Sequence, residues 1–560
     1  MRAPARDWTY HRMTSQGFYK LDVPEKLNMA RICVDWWVEE GGRGDDVAIY
    51  HRDQKITYRQ LKEQIDSLAA ALYKLGLRQP DRYLLRTPNC TEYMVAFLAG
   101  QKIGAVPIPT NPMLREYELV HIVNNSEAVA AFATPDLVDS IEKIKPQCPT
   151  LKYILVIGED SKGHLSYEHM WKEQAGQGPP FIDTHKDDPA YYLYTSGTTA
   201  GPKGVVHAHR FIIGAGDPIG KSTMNLQRGD ITSGPTALTW MYALGHNFLF
   251  AFRWGTSVAI WMEPRFDAEK AFEFAAKYKL THFVGTPTIY RRMLAVTEAE
   301  TRYDLRSLKY FLSSGEPLLE RTARELTRRF GVRCLDCMGQ TEAHEFCTSQ
   351  TDLPVKIGSM GKPLPGIEAA IVDDRGNIME PGEVGHLAIR RDHPGLLVEY
   401  FKQPEVLTDV TLPNNWYDTK DLACMDEDGY FWYISRSDDI ITSRGYRISP
   451  AEVETALQKH PAVLESGVAG AFDSNVGEKV KAWIVLQKGY KPSPELAAEL
   501  MQHVKDVIAP YKHPQEVEFV SELPKTSSDK ILRRELRRIE REKHGVFEPE
   551  KKKAFVAGRT

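Results

Sequence analysis

The spacing of apolar residues constrains this chain more than any other feature. After Ile56-Thr57-Tyr58, the residues Leu61, Ile65, Leu68, Leu72 and Leu75 recur at alternating steps of four and three, which lines them along one helix face. Gly76 follows the last of them, and glycine ends a helix readily because it accepts the left-handed conformation. Short apolar runs come next, at Tyr83-Leu84-Leu85, Val106-Pro107-Ile108, 128–133 and 153–157, separated by helical stretches of roughly ten to fifteen residues. Strands alternating with helices predict an α/β fold with largely parallel sheets. At 560 residues the chain exceeds what one hydrophobic core supports, so it must be multidomain.

From Ile357 to Ile389 the pattern changes. Turns at Pro363-Leu364-Pro365-Gly366, Asp374-Arg375-Gly376 and Pro381-Gly382 separate short alternating strands and predict a small β subdomain. Past Ser435, charges cluster at Arg436-Ser437-Asp438-Asp439 ahead of a turn at Arg444-Gly445, and a domain boundary is placed there. Strands over 466–471 and 480–487 follow, then a helix over 494–508 with Leu496, Leu500, Val504 and Ile508 on one face. Ser493 is its N-cap and Pro494 its first residue. The expected organisation is a large N-terminal domain, 1–435, of α/β subdomains plus the small β subdomain, and a small lid-like α+β domain over 436–560.

Composition removes several function classes. A formal charge of −4, from 71 Lys and Arg against 75 Asp and Glu, creates no field suited to nucleic acid. The apolar stretches 93–100 and 247–262 are ended or interrupted by charge well short of the roughly 20 residues of a membrane span. The first residues lack the apolar core of a secretion signal, and seven scattered cysteines suit a reducing compartment, so a cytoplasmic protein, monomer or homodimer, is expected. Cys334 and Cys337 form a C-x-x-C pair with no second pair at zinc spacing, which favours buried or incidental thiols. The Lys551-Lys552-Lys553 run reads as a solvated tail.

One segment carries chemistry. Tyr194-Thr195-Ser196-Gly197-Thr198-Thr199-Ala200-Gly201-Pro202-Lys203-Gly204 packs three glycines and four Ser and Thr hydroxyls into eleven residues between two apolar strands. Glycines let backbone N–H groups converge on phosphate oxygens, hydroxyls add donors and the lysine adds charge, although a flexible linker has a similar composition. Nearby, Gly216-Asp217-Pro218-Ile219-Gly220-Lys221-Ser222 mimics a Walker A loop, but Ala215 stands where the first glycine belongs and Pro218 lies inside.

Tyr194–Gly204 resembles the signature loop of the adenylate-forming superfamily, whose members include acyl- and aryl-CoA synthetases, peptide-synthetase adenylation domains and firefly luciferase. Further motifs follow in the superfamily's order. Ser314-Gly315-Glu316-Pro317 resembles its adenine-binding segment, and Met338-Gly339-Gln340-Thr341-Glu342 the motif whose threonine and glutamate meet the α-phosphate and magnesium, with Met338 in place of the usual tyrosine. Trp416-Tyr417-Asp418-Thr419-Lys420-Asp421 is similar to the ribose motif, with Lys420 for glycine; Asp421 and Arg436 would hold the ribose. Asp438 falls at the hinge that would make the C-terminal domain mobile, and Gly445, with Tyr446 and Arg447, at the coenzyme A tunnel. In Leu523-Pro524-Lys525-Thr526-Ser527-Ser528-Asp529-Lys530-Ile531, Lys530 takes the place of the adenylation lysine and Asp529 that of a glycine.

The resemblance implies an ATP-dependent acid–CoA ligase that forms an acyl-AMP and pyrophosphate, then an acyl-CoA and AMP. A carboxylate is already ionised at neutral pH, so its attack on the α-phosphate needs charge neutralisation and no general base. Thr195, Ser196, Gly197, Thr198, Thr199 and Lys203 would cradle phosphate, Glu342 would hold Mg2+, and Lys530 would bridge both anions. The resemblance also places an acyl pocket at Trp240, Met241, Tyr242, Val284, Gly285, Gly339, His344 and Glu345. Its bulky residues, and motifs closest to benzoate, aminobenzoate and medium-chain acid ligases, suggest an aromatic, alicyclic or medium-chain acid. Alternatives are loading of the acid onto a carrier protein, luciferase-like oxidation, and an inactive nucleotide-binding protein.

Overall fold

The computed structural model describes residues 11–13, 19–159, 162–180, 182–195, 202–263, 265–316, 318–437, 439–443, 446–473, 477–525 and 531–543. Two compact units divide the chain: Met1–Thr419 with Cys424–Trp432, and Lys420–Ala423 with Tyr433–Thr560.

In the first unit, strands Val106–Pro109, Arg82–Arg86, Ala130–Ala133, Tyr153–Val156 and Leu165–Ser166 lie side by side in that order, all parallel. Parallel neighbours need crossovers, and the helices Thr91–Lys102, Glu116–Ser126 and Pro135–Ile144 provide them. The helix Tyr58–Leu75 precedes this sheet. Thr57 caps it by accepting from the Gln60 N–H while the Gln60 side chain accepts from the Thr57 N–H. Leu61, Ile65, Leu68 and Leu72 are buried, Leu75 is half-buried in the last turn, and Gly76 closes the helix at φ 106°.

The larger sheet has nine strands, in the order Lys362–Pro363, His344–Thr348, Arg333–Gln340, Tyr310–Ser314, His282–Gly285, Ile231–Ser233, Ser257–Ala259, Val47–His51 and Gln54–Thr57. Its six central strands, from Arg333–Gln340 to Val47–His51, are parallel and its ends antiparallel. Phe283, Phe311, Leu312 and Leu335 are wholly buried, as expected for a sheet covered on both faces. A separate antiparallel sheet joins Pro189–Thr195, Lys203–Ala208 and Glu399–Tyr400.

The predicted β subdomain starts later than its turns suggest. Lys362–Pro363 pairs with His344–Thr348 in the nine-stranded sheet, and the separate β sheet begins at Ala369–Val372, paired with Val384–Arg390. The Walker-like segment is helical, over Gly216–Pro218 and Ile219–Thr223, and Gly220 lies against the Trp254 indole, so it forms no phosphate loop. Cys334 and Cys337 are buried in a strand, and burial pushes both thiols well up, against thiolate formation. Among the described residues no helix is long and apolar enough to cross a membrane.

The second unit is built on a long antiparallel hairpin, Val463–Asp473 with Gly477–Leu486, flanked by Glu516–Phe519. The hairpin outruns the predicted strands because backbone pairing continues past the apolar residues into Asp473 and Glu478. Ser493 accepts from the Leu496 N–H at the start of the helix Pro494–Val507, whose Leu496, Leu500 and Val504 pack with Val468, Val480 and Ile484. The last predicted position, Ile508, lies one residue beyond this helix in extended backbone.

Candidate active site

Strand pairing joins the glycine-rich segment to the Gln340-Thr341-Glu342 motif. Thr195 ends one strand, Lys203 opens the next, and the two face each other in register. The neighbouring strand brings Tyr400, whose hydroxyl donates to Glu342 Oε1 at 2.9 Å. Lys203 Nζ lies 5.8 Å from the centre of the Tyr400 ring. The Tyr417 hydroxyl, 3.4 Å from that of Tyr400, donates to Gln340 Oε1 at 3.1 Å. Backbone bonds lock the group: the Leu397 N–H donates to the Glu342 carbonyl at 2.7 Å and the Phe401 N–H to the Gly204 carbonyl at 2.8 Å. His207 Nε2 donates to the Thr341 carbonyl at 2.8 Å, and burial pushes this imidazole down to about 3, so it stays neutral.

The other motifs sit at the carboxyl ends of adjacent parallel strands, where open α/β sheets bind ligands. Gly285 ends one such strand, Ser314 the next, and Met338, Gly339 and Gln340 lie at the end of the third. The Ser314 hydroxyl donates to the Cys337 carbonyl at 2.8 Å, and Gly315 turns the chain at φ 94°. Glu316 accepts from the Thr288 hydroxyl at 2.9 Å and lies 3.6 Å from Arg291.

In the second unit, Arg436 donates to the buried Asp421 at 3.2 Å, so the two residues expected to share a ribose are in contact. Lys420 adopts φ 61°, the left-handed region, at the position where the resemblance expects glycine. Replacing Lys420 by valine should therefore cost about 1–2 kcal/mol relative to glycine, since β-branched residues tolerate this region worst. Urea denaturation of the two variants would measure the difference.

Ser196, Gly197, Thr198, Thr199, Pro317, Asp438, Gly445, Asp529 and Lys530 lie outside the described residues. Tyr446 and Arg447 belong to a strand that pairs them with Ser443 and Thr442.

The expected acyl wall is closely packed. Met241, Tyr242 and Val284 are buried, and Trp240 is half-buried. The Tyr242 hydroxyl donates to the Leu312 carbonyl at 2.6 Å. Between the strands Arg333–Gln340 and His344–Thr348, Gly339 pairs with Glu345 and Gln340 with His344. His344 is held at φ 55°, with its Nδ1 accepting from the Glu345 N–H at 2.7 Å. A Cβ on Gly245 would fall 2.1 Å from His344 Nε2, so the imidazole can approach only because that residue is glycine. His246 stacks on His344 with ring centres 5.4 Å apart.

Residues 35–401 match the family model for the AMP-binding enzyme, and residues 452–530 that for the AMP-binding enzyme C-terminal domain. The chain belongs to the AMP-binding enzyme family. It is 37% identical over 504 residues to the uncharacterized acyl–CoA ligase YtcI of Bacillus subtilis (strain 168), covering 90% of this chain and 92% of that protein. It is 33% identical over 538 residues to the mitochondrial acyl-coenzyme A synthetase ACSM3 of Rattus norvegicus, covering 93% and 92%. The crystal structure of the anthranilate CoA ligase AuaEII in complex with anthranoyl-AMP superimposes with a TM-score of 0.86 at 30% identity, covering 94% of this chain and 99% of that one.

Within this AMP-binding enzyme, several site residues carry no sequence signal. Tyr400 and His207 belong to the sheet that contains the signature loop, yet their contacts to Glu342 and Thr341 arise between residues 58 and 134 positions apart. Tyr417 stands in the ribose motif but spends its hydroxyl on Gln340. His246 lies four residues past Tyr242 of the predicted wall, and a lone histidine beside apolar neighbours has no distinctive spacing to reveal it.

Proposed function

We propose that this AMP-forming acid–CoA ligase activates an aromatic, alicyclic or medium-chain acid, with Glu342 holding magnesium and Lys530 bridging the two reacting anions. The contact that supports it most directly is the Tyr400–Glu342 hydrogen bond beside the Thr195–Lys203 strand ends, because it fixes an acidic oxygen where a phosphate loop returns to its sheet. Magnesium takes one or two carboxylates and completes its shell with phosphates and water, so a single tyrosine-oriented Glu342 fits it. Bound there, the ion would offset phosphate charge.

This chain's own groups do the rest. Lys203 and the loop hydroxyls draw the phosphates in, Asp421 and Arg436 take the ribose, and the acyl wall excludes water from the carboxylate. The acid oxygen then attacks the α-phosphorus, pyrophosphate leaves, and the coenzyme A thiol displaces AMP from the acyl carbonyl.

The test is CoA-dependent release of AMP and pyrophosphate from ATP with benzoate, aminobenzoates, cyclohexane carboxylate, hexanoate and acetate. Turnover with a ring or medium-chain acid in preference to acetate is expected. Pyrophosphate exchange with no CoA consumed would overturn free coenzyme A as the acceptor and point to a carrier protein. Tyr400→Phe should raise the magnesium concentration for half-maximal rate by about 10-fold or more while leaving the fold intact, because the group orienting Glu342 is lost. An unchanged magnesium titration would remove Glu342 from the metal site.

A further inference from the structure

At Glu345 the expected acyl wall carries a buried carboxylate that, among the described residues, meets only weak or misaligned donors. The side chain is 2% exposed, and among the described residues neither carboxyl oxygen receives an aligned N–H or O–H hydrogen bond, leaving it the weakly donating Cys337 thiol. Oε2 lies 3.2 Å from His246 Nε2, itself fully buried and also without a hydrogen-bond partner, so the two approach without an aligned bond. Native proteins rarely leave such atoms unpaired, because a buried acceptor gives up its water for nothing. Tyr242 and Cys337 stand close enough to feel the Glu345 charge, and both belong to the segments that form the expected wall. In register Glu345 faces Gly339, which has no room for a side chain: a Cβ there would meet the His344 carbonyl oxygen at 2.4 Å.

A wall that takes only hydrocarbon has no use for this group, and a leucine of similar volume would serve it better. Resting on the ligase reading above, we propose that the acid activated here carries a hydrogen-bond donor on its ring or chain, a hydroxyl or an amine, and that Glu345, with His246 beside it, receives that donor. Glu345 is then a specificity-determining residue. The preference it creates is steep, because a site built to bond a donor leaves its own groups unpaired when the donor is missing.

The experiment compares kcat/KM for matched acids by CoA-dependent AMP release: benzoate against its amino and hydroxy derivatives, and hexanoate against 6-hydroxyhexanoate and 6-aminohexanoate. In the unaltered enzyme one donor-bearing acid should exceed its parent by about 100-fold or more. Glu345→Leu should erase or invert that ratio, and Glu345→Gln, which keeps the shape, should reduce it at least several-fold should the leucine variant fail to fold. Parent acids that match every derivative, or a ratio that neither variant changes, would overturn the assignment while leaving the ligase intact. No AMP release with any acid would instead overturn the ligase reading on which it rests.

Discussion

Lys530→Ala is expected to slow adenylate formation by about 100- to 1,000-fold while leaving thioester formation from a supplied acyl-adenylate unchanged. In the first step two anions, the acid and the α-phosphate, must meet, and a bridging ammonium lowers that barrier by charge alone. In the second step, as the resemblance implies, the thiol would need the space the lysine takes in the first, so the same side chain would contribute nothing. The family's hinge, which the resemblance places at Asp438, is what would separate the two steps. Pyrophosphate exchange reads the first step and CoA-dependent consumption of synthetic acyl-adenylate reads the second. Equal loss of both would rule out alternation of the C-terminal domain as the reason for the lysine's position.

The second large effect is on stability in mild acid. Burial pushes His207 and His393 down to about 3, His209 and His282 to about 4, and His344 well below its ordinary value. In the unfolded chain each titrates near 6.5, so between that value and about pH 4 the unfolded state binds more protons and stability falls as pH falls. The stabilisation is complete above about pH 6.5. From pH 6.5 to 5.5 each histidine removes about 1 kcal/mol, or about 5 kcal/mol together. Asp336 opposes them: burial raises it to about 8, so its proton stabilises the fold increasingly as pH drops, by about 1.4 kcal/mol over that unit. These six groups together remove about 3–4 kcal/mol, a loss moderated by His386, which Asp418 holds above its ordinary value, and it should appear as a fall in Tm between pH 6.5 and 5.5. His207→Gln should flatten that slope by about a quarter. A Tm constant across this range would mean that these imidazoles are protonated within the folded protein.

Much of the fold was legible because its signals are local. The helix Tyr58–Leu75 follows from its apolar steps and its terminal Gly76, each within a few residues of the next, while its Thr57 cap came from the structure. The small parallel sheet followed from apolar runs alternating with helices, and the start of the helix Pro494–Val507 from Ser493 and Pro494. Lys362–Pro363 was misassigned for the complementary reason: its turn residues are visible in sequence, but the strand it pairs with, His344–Thr348, is chosen by tertiary packing.

The site divides along the same line. Residue order alone determined the family and the overall chemistry, because backbone phosphate cradles and charge-bearing side chains need particular residue types at fixed spacing. Only the tertiary structure decided that Tyr400 orients Glu342, that a buried His207 holds Thr341, and that His246 meets Glu345 without satisfying it. Those contacts join strands far apart in the chain, and a hydrogen bond depends on a few tenths of an ångström in positions that no local pattern encodes.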